Sequence, residues 1–257
     1  MHTYIEIGNY VLPSYGLCIV LGVLTANLIA LFLVKREQMD SNDFIILEAY
    51  AFLGAFIGAK GLYLFISRKT IDWSRMWEPE YFNQMMRGGF VFYGGLILGL
   101  LFVLMAGKIH KIPAGQYMEK CIFLVPWIHG FGRIGCFMAG CCYGIPYDGA
   151  ISVVFPEGSL APAGIRLFPV QLVEAIGLLM IAVLLFFLQY HRAWRYSIET
   201  YLMLYAILRF VLEYYRYDAC RGRWLFFTTS QWISVALAVF AACSVLYRRR
   251  KNKNACK

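Results

Sequence analysis

Charged residues are scarce in this sequence. Asp, Glu, Lys and Arg make up 15% of its 257 residues, whereas hydrophobic residues make up 60%. An average soluble domain is about 25% charged and about 45–50% apolar. The shortage of charge excludes a soluble enzyme and indicates an integral membrane protein.

Two other features are missing. Residues 1–10 contain no Lys or Arg, and no A-x-A pattern follows the first apolar run. A cleaved signal peptide has a basic start and such a site, so we expect the first run to remain as a helix. No basic face carries interleaved aromatic residues, so we expect no nucleic-acid partner. The net charge of +9 fits membrane topology and contact with anionic lipid instead.

The eight cysteines lack the spacing of a disulfide framework. Three of them lie close together in the chain: Cys136, Cys141 and Cys142. Paired C-x-x-C ligands are absent, and adjacent cysteines rarely hold one ion in a relaxed geometry, so we expect no metal and no other cofactor. Such residues ordinarily pack as small polarisable side chains, and a redox thiol is the alternative.

Seven apolar runs predict an all-α polytopic membrane protein with about seven transmembrane helices. They cover roughly residues 11–34, 44–66, 88–107, 117–138, 169–190, 198–215 and 230–247. Lys and Arg number 13 in one set of alternate breaks and 8 in the other. Because the richer set belongs in the cytoplasm, the N-terminus is expected outside and the C-terminus inside.

The chain is expected to form a single domain over residues 1–257. Residues 67–87 mix aromatic and charged side chains, which predicts an outer arm in the interfacial region; an ordinary aromatic belt is the alternative. Residues 144–168 are rich in Gly and Pro and predict a small outward-facing cap with a short strand at 151–155. Residues 248–257 form a basic cytoplasmic tail.

Ionisable residues inside predicted spans indicate functional sites, because their burial in a bilayer is costly. In the sixth span Tyr205, Arg209 and Glu213 are four residues apart, which places them on one helix face. A guanidinium on that face suits a lipid phosphate, with Glu213 orienting it and Tyr205 donating a hydroxyl. A pair of Arg209 and Glu213 that only neutralises its own charges is the alternative.

The fourth span ends in residues 129–144, which contain five glycines. Glycine is costly in a plain helix and useful where backbones approach closely, so a broken or closely packed helix end is expected. His129 and Arg133 are one turn apart and suit one cavity, the imidazole as proton acceptor and the guanidinium as anion clamp. A core histidine hydrogen-bonded across helices fits His129 equally well.

Six motifs resemble those of the bacterial phosphatidylglycerol:prolipoprotein diacylglyceryl transferase family. They are Tyr15-Gly16, Arg87-Gly-Gly-Phe-Val-Phe-Tyr93-Gly-Gly, Gly132-Arg133-Ile134-Gly135 with Gly140 and Gly144, Phe168 to Ala175, Tyr205 to Arg216, and Ser230-Gln231. The resemblance extends over residues 15–247. It implies a seven-helix body in the bacterial inner membrane, with an outward-facing cap and an active site that opens toward the outer leaflet.

The resemblance also implies an activity. Family members transfer the diacylglyceryl group of phosphatidylglycerol to the lipobox cysteine of a preprolipoprotein signal peptide and release glycerol 1-phosphate. The expected partners are therefore phosphatidylglycerol, the preprolipoprotein and membrane lipid, with the protein acting as a monomer. Such chemistry needs cations for the phosphate, a base that generates thiolate and a cavity open to lipid.

Site residues follow by motif. Arg133 and Arg209 are expected to contact the phosphate and the transition state, with Glu174 and Glu213 orienting them and Tyr15 and Tyr205 donating hydroxyls. The expected catalytic residues are Arg133, Arg209, His129, Tyr93 and Glu213. The expected substrate-binding residues are Tyr15, Arg87, Cys136, Gly144, Glu174, Tyr205 and Arg216.

The sequence departs from the family pattern at two places. Tyr93 stands where the family usually has histidine, and a phenol is a poor base at neutral pH. Cys136 and Cys141 stand where the family usually has Asn and Glu. If the family's histidine is the base, this protein needs another, and we expect His129 to serve, or Tyr93 with its pKa lowered beside an arginine.

Three other functions are weighed against this one. A transferase of the same fold with another acceptor would keep the arginines. A membrane thiol oxidoreductase would use the three clustered cysteines. A transporter usually has paired helix halves, and the sequence shows no convincing internal symmetry.

Overall fold

The computed structural model describes residues 4–7, 10–87, 89–192, 194–217 and 223–255. Its helices are α1 (Ser14–Arg36), α2 (Ser41–Ile66), α3 (Pro79–Arg87), α4 (Phe92–Ile109), α5 (Ala114–Cys121), α6 (Leu124–Ala139), α7 (Val170–Arg192), α8 (Ser197–Leu212) and α9 (Thr229–Ala255). Its strands form three antiparallel pairs: β1 (Tyr4–Ile7) with β2 (Tyr10–Pro13), β3 (Val153–Val154) with β4 (Arg166–Leu167), and β5 (Arg223–Trp224) with β6 (Phe227–Thr228). The predicted predominance of helix is confirmed, and the short strand pairs are additions to an otherwise all-α chain.

Among the residues that the structure describes, four helices are long and apolar enough to cross a membrane: α1, α2, α7 and the Thr229–Lys251 part of α9. Within the described ranges, α5 and α6 supply a fifth if the bent pair counts as one span. The apolar helix α4 is shorter, and α8 has 16 residues. The chain is therefore a polytopic membrane protein, and each predicted apolar run falls on a helix or on the bent pair.

The fourth predicted run is bent rather than straight. α5 and α6 meet at 50° across residues 122–123. Pro126 explains this position, because proline has no N–H and its ring clashes with the carbonyl four residues earlier, that of Ile122. The glycine-rich end stays helical up to Gly140, where φ is +75°. The glycines of α6 are closely packed, which is one of the two outcomes that they predicted, and the bend lies before the proline.

The chain divides into two compact units, one of residues 1–30 and 119–257 and one of residues 31–118. In the second unit, glycines let α2 and α4 approach closely. A Cβ added at Gly54 of α2 would lie 2.6 Å from the carbonyl oxygen of Leu98 and 2.7 Å from Cγ of Phe102. Small residues at such crossings are typical of membrane helix pairs, where close backbone contact is the main source of attraction.

The predicted arm at residues 67–87 belongs to the second unit. It forms a 3-10 turn at Trp73–Arg75 and then α3. Trp77 is 93% exposed. Arg75 pairs with Glu78 at 2.9 Å, and its hydrogen bonds lower the pKa of the Glu78 carboxyl. Exposed tryptophan beside charged side chains is typical of a membrane interface.

The first unit packs α6 against α7, α7 against α8 and α8 against α9. Glycine again allows two helices to approach closely, since a Cβ added at Gly130 of α6 would lie 3.0 Å from Cγ of Leu179 on α7. Near the end of α9, Arg248 pairs with Glu199 of α8 at 2.9 Å and with Glu119 of α5 at 3.4 Å. These ion pairs fix the ends of three helices together.

The segment predicted as a cap follows α6 in the first unit. It contains the β3–β4 pair, and the predicted strand at 151–155 is reduced to Val153–Val154. Phe155, Ala161 and Leu167 form its small apolar core. The segment thus has its own packing and returns the chain to the start of α7.

We expect Gly54→Ala to lower the stability of the protein by about 1–3 kcal/mol, because the new methyl group overlaps a backbone carbonyl. Gly61→Ala on the same helix is the matched control, since a Cβ there meets nothing within 4 Å. The control should be neutral or stabilise α2 by about 0.5–1 kcal/mol, through lower backbone entropy in the unfolded chain. Thermal unfolding in detergent micelles measures both, and equal melting temperatures for the two variants would contradict the α2–α4 packing.

Candidate active site

Five charged residues of the first unit converge from α6, α7, α8 and the turn after α8. Arg133 lies on α6, Glu174 in the second turn of α7, Arg209 near the end of α8, and Glu213 and Arg216 in and after the 3-10 turn Glu213–Tyr215 that follows α8. The first turn of α9 adds Ser230. Polar side chains thus gather where apolar helices begin and end.

Glu174 lies at the centre of one ion-pair group. Its side chain is 1% exposed, and its Oε2 is 3.0 Å from Nε of Arg133 and 4.0 Å from Nη1 of Arg216. A carboxylate buried to this degree is stable only beside positive charge. Glu174 therefore orients two guanidinium groups that the sequence places 83 residues apart.

Glu213 forms a second ion pair. Its Oε2 is 2.6 Å from Nη2 of Arg209, with side-chain exposures of 2% and 9%. Both members of the pair also bind other residues. Thr228 donates its hydroxyl to Oε1 of Glu213 at 2.9 Å, and Arg209 donates to the Ser230 hydroxyl at 3.2 Å. The predicted shared face of Arg209 and Glu213 is confirmed, and Thr228 of β6 and Ser230 of α9 complete it.

The two groups form one cationic site. Arg209 is close enough to interact electrostatically with both Arg216 and Glu174. Three arginines and two glutamates leave one net positive charge in a buried setting. Within the described part of the chain, Nη1 of Arg209 is buried and makes no hydrogen bond. Such an arrangement suits an anion, and the planar fork of arginine suits a phosphate.

His129 borders this site. Arg133 and Arg209 are both near enough to act on its ring electrostatically. Its ring packs edge-on against that of Tyr205, with centroids 5.6 Å apart. The structure thus brings His129 and Arg133 to one region, as their spacing in the sequence indicated.

Two glycines bring the backbone close to the site. A Cβ at Gly135 would lie 3.0 Å from Cδ2 of Tyr15, so Tyr15 of α1 lies directly on α6. Gly144 forms an isolated bridge with Arg216, and a Cβ there would lie 2.8 Å from the carbonyl oxygen of Tyr215. Because a larger residue at Gly144 would push the backbone of Tyr215 and Arg216 away, Gly144 helps to position Arg216.

The three clustered cysteines lie beside the arginines. The Sγ atoms of Cys136, Cys141 and Cys142 are all within 4.8 Å of one another. Arg133 interacts electrostatically with Cys136, and both Arg133 and Arg216 do so with Cys142. A soft cation is the ligand that three thiols could hold.

Two expected site residues belong to the second unit. Arg87 ends α3, and its side chain lies outside the described part of the structure. Tyr93 lies in the first turn of α4 and is 43% exposed. The other ten expected residues lie in the first unit, and the contacts above involve Arg133, Arg209, His129, Glu213, Tyr15, Cys136, Gly144, Glu174, Tyr205 and Arg216.

Three further residues belong to the site although they are not among the expected site residues; two of them, Gln171 and Ser230, lie within the motifs that carry the family resemblance. Gln171 is 1% exposed and donates from Nε2 to the carbonyl oxygen of Cys141 at 2.9 Å. Thr228 and Ser230 contact the Arg209–Glu213 pair as described above. A polar residue in the first turn of an otherwise apolar helix was the available signal, and it fits Gln171 and Ser230.

Comparison with known proteins gives consistent matches. The family model described as prolipoprotein diacylglyceryl transferase matches residues 2–247. The chain is 34% identical over 242 residues to phosphatidylglycerol–prolipoprotein diacylglyceryl transferase 2 of Clostridium perfringens, covering 91% of this chain and 90% of that protein. It is 32% identical over 225 residues to the phosphatidylglycerol–prolipoprotein diacylglyceryl transferase of Clostridium tetani, covering 86% and 87%. A protein of the same name from Pasteurella multocida is 32% identical over 221 residues, covering 82% and 77%.

We expect Glu174→Gln to destabilise the protein by about 3–5 kcal/mol, because it removes the carboxylate charge that faces two buried arginines. Glu78→Gln is the control, since Glu78 also pairs with an arginine but is half exposed. Solvent screens that pair, so the control should leave the melting temperature unchanged. Thermal unfolding in micelles distinguishes them, and an unchanged Glu174→Gln would rule out a structural role for its ion pairs.

Proposed function

The chain belongs to the prolipoprotein diacylglyceryl transferase family, and we propose a mechanism for its active site. The protein is a transferase that moves the diacylglyceryl group of phosphatidylglycerol to the lipobox cysteine of a preprolipoprotein. The family match over residues 2–247 supports the reaction. The buried net-positive site around Arg133, Arg209 and Arg216 is the observation that carries the mechanism.

The phosphate of the lipid binds among the arginines. Arg209 is the main contact, since Glu213 and Ser230 hold Nη2 while Nη1 makes no hydrogen bond to the described residues. Arg133 contacts a second phosphate oxygen, with Glu174 holding its Nε side. Held in this way, the arginines need no rearrangement as charge develops on the leaving phosphate.

The transfer is a displacement at carbon. The acceptor thiolate attacks the glyceryl CH₂ that carries the phosphate oxygen, so a C–S bond forms as that C–O bond breaks. The bonding electron pair leaves with the oxygen, and the product is glycerol 1-phosphate. The arginines lower the barrier because the leaving group gains negative charge in the transition state.

His129 accepts the thiol proton in this proposal. His129 lies next to Arg133 and Arg209, and its ring contacts that of Tyr205. The neutral imidazole is the form that accepts a proton. Tyr93 is the alternative base that the sequence leaves open.

The proposed placement is the bacterial inner membrane. Seven spans put the N-terminus outside and the C-terminus in the cytoplasm, because the basic breaks then face inward. The site opens to the outer leaflet, where residues 144–168 cap it and residues 67–87 lie along the interface. The protein acts as a monomer with phosphatidylglycerol and one preprolipoprotein signal peptide. Family membership favours this transfer over thiol oxidoreduction.

Arg209→Ala is expected to lower diacylglyceryl transfer by at least about 100-fold, because one buried cation facing the leaving group is lost. Arg209→Lys keeps the charge but not the fork and should recover only part of the rate. Arg192→Ala, at the exposed end of α7, is the matched control. The readout is the mass of a lipobox peptide incubated with phosphatidylglycerol and folded protein in micelles. Full activity of Arg209→Ala would exclude the proposed phosphate contact.

The base is identified by His129→Gln and Tyr93→Phe in the same assay. We expect His129→Gln to lower transfer about 100-fold near neutral pH and Tyr93→Phe to leave it within about threefold, since general-base catalysis is worth about 10²–10⁴. The loss in His129→Gln should shrink as the pH approaches the pKa of the acceptor thiol. The reverse pattern of the two variants would assign the base to Tyr93.

A further inference from the structure

The thiol cluster of Cys136, Cys141 and Cys142 has no part in the mechanism derived above. Its three Sγ atoms lie within 4.8 Å of one another. A tetrahedral zinc site with Zn–S bonds of about 2.3 Å places its sulfurs about 3.8 Å apart. The sulfurs therefore need to move inward by only about half an ångström, which small side-chain rotations provide.

Adjacent cysteines rarely bind one ion in a relaxed geometry, but the backbone conformation here allows it. Cys136 lies in the last turn of α6, and Gly140 ends the helix in the left-handed region. Cys142 is also left-handed, with φ of 57°, an unusual conformation for a residue with a Cβ. Two left-handed residues around Cys141 turn the chain so that the Cys141 and Cys142 side chains reach the same point as Cys136. The expectation of no metal rested on the spacing of the cysteines in the sequence, which does not reveal this turn.

A second observation points to a ligand beside the cluster. Gln171 is 1% exposed, and its Nε2 donates to the Cys141 carbonyl oxygen, which fixes the amide next to the thiols. Its Oε1 is buried and accepts no hydrogen bond from the described residues. A buried acceptor without a partner among the described residues can accept a hydrogen bond from a bound group, such as the water on a metal ion.

We infer that Cys136, Cys141 and Cys142 bind one Zn²⁺ ion through their thiolates and leave its fourth position open for the acceptor thiol. Sites with three protein ligands and one open position are typical of catalytic rather than structural zinc. This role rests on the proposed function. The acceptor S–H gives its proton to His129 as the Zn–S bond forms, and the sulfur then attacks the glyceryl carbon as above. The thioether product is a weak ligand and leaves the ion.

The site is tested first without any activity measurement. Full-length protein, purified in detergent without chelator, should contain about one zinc per chain by mass spectrometry of the metal. Cys142→Ser and Cys136→Ser should each lower that content at least about fivefold, because two thiolates hold zinc far more weakly than three. Cys243→Ser, an exposed cysteine of α9, is the matched control and should retain the metal.

The open position is tested with cobalt. The Co²⁺-loaded protein should show a thiolate-to-cobalt absorption band that increases when a lipobox peptide binds and stays constant with the Cys→Ser peptide. A constant band with both peptides would overturn the acceptor role. Absence of zinc with three free thiols, or a mass lower by two hydrogens that reveals a disulfide, would overturn the metal site.

The outcomes also separate this inference from the proposed function. If metal-free protein transfers diacylglyceryl at the full rate, the transferase mechanism is supported and the role of zinc in it is contradicted. Zinc-loaded, peptide-binding protein that releases no glycerol 1-phosphate supports the metal site and contradicts the proposed transfer.

Discussion

Pairing of buried charge is the constraint on which this structure depends. Glu174 and Glu213 are almost fully buried, and each faces arginine from its own or another helix. Taking a charge out of water is costly, and a partner of opposite sign only offsets that cost when the geometry is good. The helices must therefore meet so that α6, α7, α8 and the start of α9 supply the partners. The resulting site has one more cation than it needs for balance, which prepares it for an anionic lipid head.

Close helix packing brings the paired charges within reach of one another. Glycines in α6 let Tyr15 and Leu179 approach its backbone to about contact distance, and Gly144 forms a backbone bridge with Arg216. In a membrane the lipid is as apolar as the helix surfaces, so van der Waals contact between small residues replaces hydrophobic attraction. The same glycines that looked costly for a helix thus set the positions of the charged groups.

Several features were predictable because they depend on local spacing. The apolar runs fall on helices, and residues four apart in α8 do share a face, as the Arg209–Glu213 pair shows. Other features were not predictable locally. The bend before α6 follows from one proline, whereas the run of glycines, which predicted a broken or closely packed helix end, is closely packed. Gln171 and Thr228 looked ordinary because their partners lie 30 and 15 residues away in the chain.

A polytopic helical membrane protein and its family could be predicted from the sequence, because hydrophobic runs, glycine spacing and motif order are all properties of the chain read in order. Nearly all the charged residues of the site could be predicted in the same way. The pairing of each carboxylate with its arginine, and the meeting of three cysteines at one point, could be seen only in the folded chain. Those outcomes depend on the relative positions of separate helices and on a left-handed turn at Cys142, and neither is encoded in any short window of sequence.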